Sequence, residues 1–300
     1  ETALSRGFHL LNITRSSLAE TSLSTLAPAS LKVLAVLLNT EGKAHLQRGD
    51  AAAALTAWQQ AAQAYGETGD REGQISSQIN QLQALQSLGL FRQAYGLGEQ
   101  IRILIEAQSD PLIKSKGLLN LGNVERTIGE LEKSDKTLQA AQDTAQLLTN
   151  SELTSAIALS LGATQQALGD RETERLTTVN RQGLSPWACS FVMPPDSAVP
   201  YYQTAIDHYR AAAAHPPNQV AADLNRLVIW QTLNRFDELE TDWQRLQPQI
   251  SALSPSRGQV FAAINLAQRG AFRKQASTTV LLSWQTLQTL LENAVTTAQA

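Results

Sequence analysis

Gly49, Gly89, Gly129 and Gly169 follow one another at separations of 40 residues. Each closes an apolar stretch of helical period: Leu46-Gln47-Arg48-Gly49-Asp50, Ser87-Leu88-Gly89-Leu90, Thr127-Ile128-Gly129-Glu130 and Ala167-Leu168-Gly169-Asp170. A fixed period of this length means a row of like units, each burying its apolar face on the next. A residue that ends a helix at positive φ is most cheaply glycine, so all four are expected just past the first helix of a helix-turn-helix hairpin. Seven residues before them stand Gly42, Gly122 and Gly162, with Leu82 in the second repeat. Five after come Ala54, Ala94 and Ser134; nine after, Trp58 or Leu138, with Gly98 departing; twelve after, Ala61, Ile101 and Ala141. Small residues at these offsets let two antiparallel helices approach while one bulky side chain fills the gap.

This spacing resembles the tetratricopeptide pattern, in a variant with longer helices. The expected fold is all-α: a right-handed α-solenoid of about six antiparallel tetratricopeptide-like helix pairs. Composition agrees, since 43% of the residues are hydrophobic, only 5% aromatic, and Ala, Leu and Gln prevail over strand formers. Helix starts are expected at Asp110-Pro111, Asn150-Ser151-Glu152, Pro216-Pro217-Asn218 and Ser254-Pro255, which combine capping side chains with proline in a first turn. The resulting organisation is a leading helix or cap over 1–35, then repeats one to three and helix A of four over 36–169. An insertion loop covers 170–199, and helix B of four with repeats five and six covers 200–300. The fourth helix B is placed at 201–214, where Ala205, Tyr209 and Ala212 repeat the small, aromatic, small spacing.

A net charge of -3 offers no basic field for a phosphate backbone, which argues against nucleic acid. The longest apolar run, Leu31 to Leu38, is too short for a membrane span and is broken by Lys32. The single cysteine, Cys189, fits a reducing compartment. Localisation stays unknown, with the cytoplasm favoured and export open if a signal peptide has been removed.

Catalytic chemistry is not expected. Gly42-Lys43 lacks the glycine and the hydroxyl residue of a phosphate loop, having Leu37 and Ala44 in their places. Gly96-Leu97-Gly98 follows no strand. His9, His45, His208 and His215 show no metal-ligand spacing, so neither metal nor cofactor is expected. Cys189 sits in Trp187-Ala188-Cys189-Ser190, which reads as part of an apolar plug. Trp187, Cys189, Phe191 and Met193 are the residues with which the insertion would dock, because a long apolar loop in a compact fold is generally functional.

The functional signal is asparagine. Asn80, Asn120 and Asn225 stand two residues before the small position of helix A, and Ile264-Asn265-Leu266-Ala267 aligns with Leu119-Asn120-Leu121-Gly122. In tetratricopeptide arrays that position points into the concave groove. An amide side chain donates and accepts at once, which suits the backbone of an extended peptide. Lys43 and Lys116 lie near the same face, with Asn39 one turn from Lys43, so a carboxylate could be held there. Relative to the two-carboxylate clamp of chaperone-binding members, Asn80 and Lys116 match in kind while Asn39 and Lys43 are exchanged. The candidate peptide-binding residues are therefore Asn39, Lys43, Asn80, Lys116, Asn120, Asn225 and Asn265.

The insertion before Tyr201-Tyr202-Gln203, with Leu253-Ser254-Pro255-Ser256-Arg257 leading to Ile264-Asn265-Leu266-Ala267-Gln268, resembles the repeat half of bacterial, especially cyanobacterial, CHAT-domain proteins over residues 40–300. In that family the array precedes a caspase-like peptidase domain. The resemblance implies a fused or separate partner of that kind, and no catalytic residue carries over to this chain. Leu291-Glu292-Asn293-Ala294-Val295 reads as a helix B without a polar cap, so a further repeat or a covering partner is expected beyond it. Two functions follow: a module that binds peptide segments or a regulatory partner in its groove, or a scaffold that works through the convex face or the 170–199 insertion.

Overall fold

The computed structural model describes residues 26–180, 193–253 and 257–273, together with Arg6 and Phe8. Among these residues every regular element is a helix. Helices α1 (Pro28–Gln47), α2 (Ala51–Glu67), α3 (Arg71–Ser87), α4 (Phe91–Glu106), α5 (Pro111–Thr127) and α6 (Leu131–Ala145) belong to one compact unit, Glu1–Thr149. Helices α7 (Ser151–Asn180), α8 (Val199–Ala212), α9 (Pro216–Thr232), α10 (Phe236–Ser251) and α11 (Arg257–Arg273) belong to the other, Asn150–Ala300. In each unit a first helix packs on the second helix of its own pair and on the first helix of the next, as α3 does with α4 and α5 and α9 does with α10 and α11. This is the tetratricopeptide-like arrangement.

The helix ends follow from local chemistry. Asp50, Asp70 and Asp110 cap α2, α3 and α5 by accepting from Ala53 N, Gly73 N and Leu112 N at 3.0, 2.9 and 2.8 Å. Asn150 does the same for Leu153 N at 2.9 Å. At the hairpin turns Gly49, Gly89 and Gly129 take φ of 82°, 72° and 86°. The residue after each returns its N–H to the helix, Leu90 N to Leu85 O at 2.8 Å being one case. Asn234, at φ 54°, does this work between α9 and α10, since asparagine is the side chain that best tolerates the left-handed region.

Gly169 does something different. It lies inside α7, which continues to Asn180, so residues 170–180 are helix rather than the start of a loop. A Cβ on Gly169 would stand 3.0 Å from the Tyr202 ring, so the glycine serves close approach to α8 instead of ending a helix. A second correction concerns the start: α1 begins at Pro28, inside the span 1–35 expected for a separate cap. Phe8 is buried with Leu31, Leu34, Leu38 and Tyr65 against α1 and α2. The second helix of the expected sixth repeat would follow α11 and lies outside the described residues.

The small and large positions mesh as their spacing requires. A Cβ on Gly42 would lie 2.5 Å from Trp58 Nε1, one on Gly122 2.6 Å from Leu138 Cγ, and one on Gly162 2.6 Å from Tyr209 Cε1. The Trp58 indole, 1% exposed, donates to Asn39 O at 3.1 Å. Serines seal the same junctions: Ser115 Oγ donates to Ala141 O at 2.9 Å, and Ser155 Oγ to Ala212 O at 2.8 Å. Ala212 thus holds the place of Ala141, which makes α8 the second helix of the fourth pair despite the residues that intervene.

Candidate peptide-binding site

The candidate residues sit on first helices of the pairs. Asn39, Lys43, Asn80, Lys116 and Asn120 lie on α1, α3 and α5 of the first unit, and Asn225 and Asn265 lie on α9 and α11 of the second. The structure joins two of them directly, because Asn80 Nδ2 donates to Asn39 Oδ1 at 3.1 Å and ties α3 to α1. Two others share a cleft. Lys116 and Asn120 line a concavity of about 190 Å³ between α3 and α5, with Glu72, Ser76, Ile75 and Ile113.

Within that cleft Lys116 Nζ contacts Glu72 Oε1 at 2.7 Å, both side chains being roughly half exposed. A pair so wet contributes little and exchanges readily for a ligand's groups. The cleft therefore presents a balanced rim, one cation and one anion, rather than the cluster of cations that grips a carboxylate. Asn120 and Lys43 are exposed and Asn225 half-buried, and the described residues give none of the three a side-chain partner. Asn265 turns back on its own helix, Nδ2 donating to Phe261 O at 2.9 Å.

Of the insertion residues, Trp187, Cys189 and Phe191 lie outside the described residues. Met193 is 57% exposed, and its sulfur accepts from the Asn234 side-chain amide at the turn between α9 and α10. The ends of the intervening segment are fastened: the Tyr202 hydroxyl donates to Asp170 Oδ1 at 2.8 Å, and Ser197 Oγ to Glu172 Oε1 at 2.8 Å. Burial raises the Tyr202 hydroxyl's pKa, as does the Asp170 carboxylate it faces. The Glu172 carboxyl is held down to about 2 by the Arg175 guanidinium, with help from Ser197.

Two polar clusters went unread in the sequence. Between α9 and α10, Asp223 and Asp242 face Arg226 and Arg245 in a closed box. Arg226 Nη1 and Arg245 Nη1 reach Asp223 at 3.0 and 2.7 Å, Arg245 Nη2 reaches Asp242 at 3.2 Å, and Arg226 also contacts Asp242. Trp230 Nε1 adds a bond to Asp242 Oδ2 at 2.9 Å. Burial pushes the Asp242 carboxyl up, but the indole and the two guanidiniums outweigh it and hold the pKa below the usual value. The signal was present as Asp223-Leu224-Asn225-Arg226 and Asp242-Trp243-Gln244-Arg245, the same i, i+3 pair on two facing helices.

The other cluster joins α4, α5 and α6. Arg102 contacts Glu125 Oε1 and donates to Thr137 Oγ1 at 3.0 Å, while Lys133 contacts Glu99 and lies 4.7 Å from the centre of the Tyr95 ring. Burial raises the Glu125 carboxyl's pKa, and the Thr137 hydroxyl and Arg102 offset it only in part.

Among the described residues no cluster of His, Cys, Asp and Glu could hold a metal ion, and no helix is long and apolar enough to cross a membrane. No family model and no curated protein sequence matches the chain. Solved structures do. BtubC (BKLC) from P. vanneervenii is similar with a TM-score of 0.52 at 14% identity, over 87% of this chain and 91% of that one. The TPR2AB domain of yeast Sti1, in its pHSP90 complex, matches over 88% of this chain and 95% of that one at 16% identity, with a TM-score of 0.34. The likeness to BtubC supports the helical-repeat fold alone.

Proposed function

We propose that the chain is a protein-interaction module that binds an extended peptide segment, or a regulatory partner presenting one, along the first helices of its pairs. The observation that carries this reading is the cleft between α3 and α5. It is open, about 190 Å³ in volume, and sets the unpartnered amide of Asn120 beside a Lys116–Glu72 pair that a ligand can displace. An amide flanked by one charge of each sign suits peptide backbone, which offers donors and acceptors in equal number. It suits a terminal carboxylate poorly, because Glu72 sits where that charge would go. The CHAT resemblance adds a destination: what the array holds would be presented to a caspase-like domain, fused or separate.

The test is affinity capture with the intact chain and with a Lys116→Ala, Asn120→Ala variant, both changes being at the surface. A partner lost only from the variant supports the cleft. A partner kept by both would end this version and leave the scaffold reading. That alternative is favoured by one observation, the exposed apolar side chains Phe91, Tyr95 and Ile103 on α4.

A further inference from the structure

Helix α3 is held firmly on one side and thinly on the other. Toward the first pair, Asn80 Nδ2 donates to Asn39 Oδ1 and Gln81 Nε2 to Trp58 O, both at 3.1 Å, and a Cβ on Gly73 would strike the Tyr65 ring of α2. Toward its own partner α4 the packing is broken. Where the neighbouring pairs set Gly42 under Trp58 and Gly122 under Leu138, this one has Leu82 on α3 and Gly98 on α4. The exchange does not refill the space: a Cβ on Gly98 would meet nothing within 4 Å, and a void of about 20 Å³ remains, lined by Leu82, Gly98 and Leu121. Gln86 also lines the void, and its Nε2 is buried with no acceptor, a cost that a tight junction avoids. Among the described residues no side-chain hydrogen bond or ion pair joins α3 to α4.

Helix α4 is fastened to the third pair instead. Arg102 contacts Glu125 of α5 and donates to Thr137 of α6 at 3.0 Å, and Glu99 contacts Lys133 of α6. The buried side chain of Ile105 backs α5 so closely that a Cβ on Gly117 would stand 3.0 Å from its Cγ1. Between α3 and α5 the same boundary continues as the cleft of about 190 Å³, whose lining includes Gly117. The pair that crosses it, Lys116 with Glu72, is roughly half exposed and holds weakly.

We infer that the first unit has a seam inside its second pair, between α3 and α4, and that α1, α2 and α3 swing as one body against α4, α5 and α6. Close-packed interiors deform little, so motion collects where burial is thinnest and bonds are fewest. The chain crosses the seam at the turn Leu88-Gly89-Leu90, with Gly89 at φ 72°. The cleft at Lys116 and Asn120 lies on this seam, so the swing sets its width. A ligand seated there bonds to α3 and α5 together and selects one spacing over the others. The inference rests on reading that cleft as the binding site, and it supplies the site's regulation.

The test measures distances between nitroxide labels on the whole chain by pulsed electron paramagnetic resonance, in a Cys189→Ser background. Labels at Gln83→Cys and Lys136→Cys span the seam. Gln63→Cys with Gln83→Cys, and Gln100→Cys with Lys136→Cys, each lie within one body, and all four positions are exposed. The spanning distribution is expected to be broader than both controls. Leu82→Gly with Gly98→Leu restores the order of the neighbouring pairs and should narrow it to their width. If that double variant fails to fold, Gly98→Ala adds a methyl to the void and should narrow the distribution in part. The inference is overturned if the spanning pair is as narrow as the controls in the parent chain, or if filling the void leaves its width unchanged. Either result leaves the module reading standing, because that reading is decided by partner capture at Lys116 and Asn120.

Discussion

Gly162 lies directly beneath the Tyr209 ring, so the fourth pair closes on a residue contributed from beyond the 181–192 segment. In the third pair Leu138 plays this part for Gly122, with only a turn between the two helices. Tyr209 is 1% exposed and its hydroxyl is bonded to Gln166 Oε1 at 3.0 Å, so the ring has nowhere to move.

Gly162→Ala should therefore lower the unfolding free energy by about 1–3 kcal/mol, the usual cost of forcing an atom into a filled core. Gly98→Ala should do the reverse, because its new methyl enters open space and a helix-interior glycine is replaced, gaining about 0.8–1 kcal/mol. Urea unfolding of the two variants beside the parent checks the pair. The same sign for both would refute the packing argument.

Removing one wall of the Asp–Arg box should be expensive. Asp242→Ala leaves Trp230 Nε1 unpaired and two guanidiniums facing the single carboxylate of Asp223. A loss of about 3 kcal/mol is expected, at the lower end for a broken buried pair because the Arg245 side chain is 38% exposed and can turn toward water. Asp242→Asn, which can still accept from the indole, should lose less. Chemical denaturation followed by the fluorescence of the tryptophans reads both.

Acid titration should separate two carboxyls that respond oppositely to folding. The folded pKa of Asp242 lies below 3.8, so its contribution is present above that unfolded value and is lost as the pH falls through the folded one. The folded pKa of Glu125 lies above 4.5, so the folded chain takes up this proton first. Acidification from neutral thus relieves a liability in the first unit before it removes a support from the second. Side-chain carbon shifts followed by NMR should place the Glu125 midpoint above 4.5 and the Asp242 midpoint below 3.8.

Tyr202→Phe tests the fastening of α7 to α8. It deletes the hydroxyl's bond to Asp170 and should cost about 1 kcal/mol. The Asp170 carboxyl is already raised by burial, and the Tyr202 bond is what opposes that rise. Its pKa should therefore climb further in the variant, a change that NMR detects independently of stability.

The hairpins were legible because positive φ leaves a chemical trace. Glycine recurs at 49, 89 and 129, and asparagine replaces it at 234. The same trace misled at Gly169, since glycine also marks close approach and nothing before Tyr202 in the chain says which use applies. Helical phase put Asn39, Asn80, Lys116 and Asn120 on first helices correctly. It could not foresee that Asn80 would spend its amide on Asn39, or Lys116 its charge on Glu72. Direction along one helix is written in that helix, whereas the distance to a neighbour depends on how two helices meet. The Asp–Arg box was readable in principle, but only by comparing α9 with α10 rather than weighing each arginine singly.

The fastening of α7 to α8 bears on chain connectivity. Tyr202 with Asp170, Ser197 with Glu172, Tyr209 over Gly162 and Ser155 with Ala212 hold the two helices at both ends of their contact. None of these links lies in 181–192. Those links among the described residues should let two fragments divided within that stretch find each other on mixing. This same join is where a foreign domain could be spliced in without disturbing the repeats on either side.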